Sequence, residues 1–273
     1  MSARPSRDAS GARRPPGTNR PHINMSTVRQ VYDEEKRPFD SRYIFWRTLM
    51  MRVPAYMTLP LARHGVSPNT ITVVSIVVGL VGSLELAFAN RVIGILLLLV
   101  WQVLDCVDGL LASVSGRTSR LGAFLDTCGA HLMYGTVFLA WGVGLAIRPD
   151  LVMQNASTDW LGLEPSVAVV VSGGLASLGT TLRALFSYEY WRVYPSEQGG
   201  GSSELERRPR RLGEWYRWLH RNFMEFLGFF LPIMLVATLF DVGSLALVAY
   251  SLFWLCDAAL GMFLSARRLA KAG

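Results

Sequence analysis

Asp105 and Asp108 lie three residues apart, and Asp126 follows a short polar turn, in "DCVDGLLASVSGRTSRLGAFLDTCGAH". Apolar stretches flank this segment, "VIGILLLLVWQVL" before it and "LMYGTVFLAWGVGLAI" after it. A carboxylate inside a bilayer costs about 2.5–3.5 kcal/mol on insertion scales. Three clustered like charges also repel one another unless a cation sits among them. Hard divalent cations take oxygen ligands, and Mg²⁺ favours carboxylates completed by phosphate and water. These residue types therefore point to a metal–phosphate site. Two other chemistries fit them: a coupling-ion or proton site of a transporter, and a helix cap with the remaining aspartates facing a loop.

Helical geometry brings the three together. Residues three apart on an α-helix are separated by about 60° around the axis, so Asp105 and Asp108 share a face. Gly109 and Ala112 keep that neighbourhood small. Gly122 and Asp126 are four apart and share a face of the next helix. Two consecutive antiparallel helices can then direct three carboxylates to one place, near one end of their spans.

The surrounding elements are membrane helices. The chain of 273 residues is 51% hydrophobic and 17% charged, and its mean hydropathy is +0.30. This excludes a disordered chain and argues against a soluble globular domain. Six transmembrane helices are expected, at about 70–89, 92–112, 122–147, 166–187, 223–240 and 242–264. The preceding segment, "SRYIFWRTLMMRVPAYMTLPLARHG", mixes aromatics, Met and Arg and is interrupted by Pro54 and Pro60. It reads as an interfacial helix rather than a seventh span.

Basic residues set the orientation. Segment 1–52 holds eleven Lys and Arg, and segment 188–222 holds seven arginines, including those of "RRPRR". Segment 148–165 has Arg148 alone against Asp150, Asp159 and Glu164. Six spans with both termini and the aspartates on the cytoplasmic side satisfy the positive-inside rule at every loop. The expected organisation is a disordered basic tail over 1–40, a membrane domain over 41–266 and a basic tail over 267–273. No cleavable signal peptide is evident, and the prolines of the first segment argue against a mitochondrial presequence. The net charge of +7 flanks apolar runs, so it is read as contact with anionic membrane lipid and not with nucleic acid. Cys106, Cys128 and Cys256 have no CxxC spacing, which disfavours a zinc site or a disulfide framework.

The spacing of these residues resembles the signature of the CDP-alcohol phosphotransferase family, D-x2-D-G-x2-A-R-x8-G-x3-D-x3-D. Asp105, Asp108, Gly109, Ala112, Gly122 and Asp126 match six of its eight fixed positions. "GVSPNTIT" at 65–72 also looks like the family's entry into its first span. The resemblance covers about residues 40–266. It implies six spans, cytoplasmic termini, a homodimer, and transfer of a substituted phosphate group from a CDP-linked donor to an acceptor with release of CMP. It further implies that Asp105, Asp108 and Asp126 hold Mg²⁺ or Mn²⁺ on the donor diphosphate. Gly109, Ala112 and Gly122 would let the cytidine nucleotide approach the helix backbones. The expected setting is phospholipid or related phosphodiester synthesis, with an unassigned acceptor.

Two signature positions differ. The family's Arg is Ser113 here, and its fourth Asp, the general base and a second-metal ligand, is Ala130. One reading is an inactive relative that binds nucleotide or metal and partners another membrane protein. Another is an active enzyme with a replacement base: His131 is adjacent but rotated about 100° away, whereas Asp257 lies at a depth close to that of Asp105. The stronger reading of Asp257 is a partner for Arg183 or a buried hydrogen bond. A third reading is an acceptor whose attacking oxygen is already ionised and needs no base, its charge offset by Arg117, Arg120 and Arg183. Asp126, with Asp257 in reserve, is therefore the catalytic candidate. Glu85, toward the outer end of its span, reads as a surface residue.

Overall fold

The computed structural model describes residues 23–36, 43–45, 52–148, 163–193, 211–225 and 228–272, and among them there is helix but no strand. Helix α1 is Met25–Val31, continued as a π-helix over Tyr32–Lys36. Helix α2 is Val53–Arg63, α3 Pro68–Phe88, α4 Arg91–Ser115 and α5 Arg120–Ala146. Helix α6 is Pro165–Val193, and α7 is Arg211–Leu219, followed by π-helical His220–Met224. Helix α8 is Phe230–Leu239 and α9 is Gly243–Ala272.

Local chemistry sets several boundaries. The Asn90 side chain accepts from the backbone N–H of Val92 and Ile93, starting α4. Gly116, at φ 63°, ends it in the left-handed region, which glycine adopts without a Cβ clash. Ser119 Oγ accepts from Gly122 N and starts α5. Pro68 occupies the first turn of α3, where its missing N–H leaves no bond unmade.

Helices α3, α4, α5, α6 through Glu189, and α9 through Arg267 are long and apolar enough to cross a membrane. They correspond to five of the six expected spans. The span expected at 223–240 takes a different form. Its helical part, α8, has 10 residues, about 15 Å against a hydrocarbon core of about 30 Å. The apolar run conceals a break. Glu225 is extended, and Phe229 N donates to Asn222 O. Asn222 is fully buried, and a Cβ at Gly228 would collide with the carbonyl oxygens of Arg221 and Asn222.

The expected disordered tail over 1–40 also needs correction within its described part. Residues 25–36 are helical. Asn24 caps them by accepting from Thr27 N, and Val28 and Tyr32, one turn apart, are buried. The basic character of the whole segment masked this short apolar stripe. Residues 1–22 lie outside the described residues, as do the expected tail at 37–40 and "RRPRR" through residue 210. The helix expected before the first span is α2. It runs through Pro60 rather than breaking there, with Pro54 in its first turn.

Helices meet where side chains are smallest. A Cβ at Gly173 would lie 2.5 Å from Phe138 O, and one at Gly142 2.6 Å from Val169 O, so α5 and α6 approach backbone to backbone. One core is built around Trp101, Met133, Phe138, Trp141, Phe230 and Tyr250. A second joins Val28 and Tyr32 to Ala55, Ile71, Val107, Leu110, Leu111 and Val114. It holds α1 and α2 against the half of α4 that carries Asp108. At the far end, Arg91 pairs with Asp241 at 3.9 Å and Arg148 Nη2 donates to Ala89 O. At the near end, Arg117 Nη1 donates to Gly65 O and Ser119 Oγ to Asn69 Oδ1.

Candidate active site

A cavity of about 250 Å³ opens at this near end, between the start of α3, the end of α4 and the start of α5. Asp108, Gly109, Ala112 and Ser113 line it from α4, and Gly122, Ala123 and Asp126 from α5. Arg117, Thr118 and Ser119 close it from the intervening turn, and Pro68, Asn69 and Thr72 from α3. Asp108 is buried and Asp126 exposed, so the two carboxylates meet the cavity from opposite environments.

The small residues have a steric role. A Cβ at Gly122 would lie 2.7 Å from Asn69 Oδ1 and 3.1 Å from Ser119 Oγ. A larger residue there would push Asn69 aside at the wall of the cavity. Ser113 Oγ donates to Gly109 O at 3.1 Å, back into its own helix.

Five of the six matching signature residues line this cavity. Asp105, half-buried, is not among the lining residues; it sits one turn further into the bundle on α4. Asp105 and Asp126 nevertheless both lie within electrostatic range of Tyr134. Ala130 and His131 are also absent from the lining. His131 Nδ1 is 2.7 Å from Thr127 O in its own helix, and its ring meets Tyr134 edge-on.

Among the described residues, no three His, Cys, Asp or Glu side chains are gathered tightly enough to hold a metal ion by themselves. The donor set has another character. Asp108 and Asp126 offer hard carboxylate oxygens to a cavity with room for phosphate and water. One or two carboxylates completed by phosphate oxygens and water is the environment that Mg²⁺ favours over a closed protein cage.

Asp257 belongs to a different constellation. Its side chain is 4% exposed. Oδ2 accepts from Arg183 Nε at 2.9 Å and lies 3.3 Å from His220 Nε2, while Oδ1 accepts from the Tyr216 hydroxyl. His220 Nδ1 is 3.1 Å from Glu225 Oε1, and Glu225 Oε2 accepts from the Tyr43 hydroxyl. Burial alone would lower the His220 pKa, but hydrogen bonds to Asp257 and Glu225, with their charges, raise it to about 9. Burial and then the Asp257 hydrogen bond push the Tyr216 phenol above its usual value. Asp257 thus ties α6, α7 and the π-helical turn to α9.

Asn69, Thr72, Thr118 and Ser119 also line the cavity, beyond the residues that the signature spacing marks. A signal existed in "SPNTIT", whose Asn and Thr stand three apart in the first turns of α3 and so share a face.

Five helices long and apolar enough to cross a membrane, with a carboxylate-bearing cavity at one end of the bundle, are the architecture of a multi-pass membrane protein. A profile of the CDP-alcohol phosphatidyltransferase family matches residues 65–255, and the chain belongs to that family of transferases. Archaetidylinositol phosphate synthase of Pyrococcus horikoshii is 31% identical over 91 residues, 33% of this chain and 48% of that protein. Phosphatidylinositol phosphate synthase of Mycobacterium marinum is 29% identical over 121 residues, 43% of this chain and 50% of that protein. Cholinephosphotransferase 1 of Mus musculus is 29% identical over 129 residues, 43% of this chain and 28% of that protein. The chain therefore spans about half the length, or less, of these relatives.

Proposed function

We propose that this protein transfers a substituted phosphate group from a CDP-linked donor to an acceptor, releasing CMP, in the synthesis of a phospholipid or related phosphodiester. The observation that carries this reading is the convergence of Asp108, Asp126, Gly109, Ala112 and Gly122 on one cavity. Asp108 and Asp126, with Asp105 behind them, would hold Mg²⁺ or Mn²⁺, which when bound neutralises the donor diphosphate and stabilises the departing CMP. Gly109, Ala112 and Gly122 leave the helix backbones open to the nucleotide, and Asn69, Thr72 and Ser119 offer polar groups along one wall. The acceptor oxygen forms the new bond to phosphorus as the bond to CMP breaks. Exposed Asp126 is the lining carboxylate positioned to receive a proton from a hydroxyl acceptor. An already ionised acceptor oxygen would need no such base, consistent with Ala130.

By their names, two relatives act in inositol phosphate lipid synthesis and a third in cholinephosphate transfer. These differ in product, so the acceptor is left open. The density of basic residues supports termini and a cavity on the cytoplasmic side, and the family supports a homodimer. Asp105→Asn, Asp108→Asn and Asp126→Asn should each weaken binding of Mn²⁺ and of CDP without blocking membrane insertion. Wild-type binding in all three variants would refute the shared site.

Ser113 and Ala130 favour a second reading, in which the protein binds nucleotide or metal without turning it over and partners another membrane protein. Such a protein binds CDP but releases no CMP from any donor.

A further inference from the structure

Building on the proposed transferase reading, we infer that Arg117 supplies the cationic contact to the donor phosphates that Ser113 does not. Among the described residues lining the cavity, Asp108 and Asp126 are acidic and Arg117 is the sole Lys or Arg. A diphosphate entering this space brings further negative charge, and one divalent ion leaves an excess. A guanidinium suits the remainder, because its planar fork donates paired charge-assisted hydrogen bonds to phosphate oxygens.

The backbone puts Arg117 in that position. Helix α4 ends at Gly116 in the left-handed conformation, where an added Cβ would have nothing within 4 Å. The glycine is therefore explained by backbone conformation rather than by lack of space. Arg117 N then donates to Ala112 O at 3.0 Å, folding the chain back over the end of the helix. Arg117 follows Ser113 by four residues, and both line the cavity. Arg117 Nη1 is held by Gly65 O at 3.2 Å, which braces the long side chain against the turn before α3. An arginine has five N–H donors, so most remain available to a ligand. The family's arginine at position 113 would reach the cavity from the helix, whereas here the cation reaches it from the turn.

Two probes applied to purified full-length protein test this: CDP, which has the diphosphate, and cytidine, which lacks it. Arg117→Gln should weaken CDP binding by about tenfold to a hundredfold and leave cytidine binding nearly unchanged. Adding Ser113→Arg to Arg117→Gln should restore most of the lost CDP affinity. Equal loss for both probes would mean that Arg117 only maintains the cavity's shape, and no loss for either would remove it from the site; both overturn the inference. If Arg117→Gln does not fold, Arg117→Lys decides, since an ammonium keeps the charge but loses the paired fork and should weaken CDP but not cytidine. Absence of that loss would also overturn the inference. Failure of the wild type to bind CDP would instead refute the transferase reading. Wild-type CDP binding with an unaffected Arg117→Gln variant refutes only the assignment of Arg117.

Discussion

Arg183 Nε donates to Asp257 Oδ2 at 2.9 Å, joining α6 to α9. Gly261 makes the contact feasible: a Cβ there would lie 3.2 Å from Arg183 Cδ and Nε. With Tyr216 and His220 also on this carboxylate, Asp257 is better suited to fastening helices than to shuttling protons.

Asp257→Asn should accordingly lower stability more than it lowers chemistry. Removing one partner of a fully buried pair typically costs about 3–5 kcal/mol. The Arg183 side chain is 38% exposed, so about 1–3 kcal/mol is expected after solvent screening. Thermal unfolding in detergent checks this, alongside CMP release per folded molecule. A normal melting point with turnover reduced a hundredfold or more would return Asp257 to the role of base.

The same network predicts a pH dependence. The His220 pKa is raised from 6.5 to about 9 on folding. Its stabilising contribution is therefore complete below about pH 6.5 and is lost as pH rises through about 9. The melting temperature should fall between pH 7 and pH 10, and His220→Gln should flatten that slope. Parallel slopes for variant and wild type would show that the ion pairs to Asp257 and Glu225 do not control it.

Ala130 separates acceptor classes. Ala130→Asp should increase CMP release with a hydroxyl acceptor, by up to the roughly 10²–10⁴-fold typical of general-base catalysis. With a phosphate-bearing acceptor it should reduce the rate, because it places negative charge beside the nucleophile. Identical rates in both assays would show that position 130 takes no part in proton transfer.

Much of the site was legible because it is built on regular helices. Asp108, Gly109 and Ala112 share one helix, and Gly122 and Asp126 another, so sequence spacing translates directly into a common face. Asn69 and Thr72 were harder to place because they arrive from a third helix, and their proximity to Gly122 is set by packing. Asp257 is legible in the sequence as a membrane carboxylate at a suitable depth. Its partners Tyr216 and His220 come from a segment whose path no hydropathy pattern reveals. The break before α8 was hidden for a related reason. The apolar run at 223–240 satisfies a hydropathy window, while buried Asn222 and the space for Gly228 exist only in the folded chain.

The most direct test is CMP release by the purified protein, supplied with Mn²⁺, a panel of CDP-linked donors including CDP-diacylglycerol and small CDP-alcohols, and both hydroxyl and phosphate-bearing acceptors. Acceptor-dependent CMP release from at least one donor is expected, abolished by chelation and reduced at least a hundredfold in Asp108→Asn and Asp126→Asn. CDP binding by folded protein with no CMP from any combination would contradict a catalytic role and leave a nucleotide-binding membrane protein.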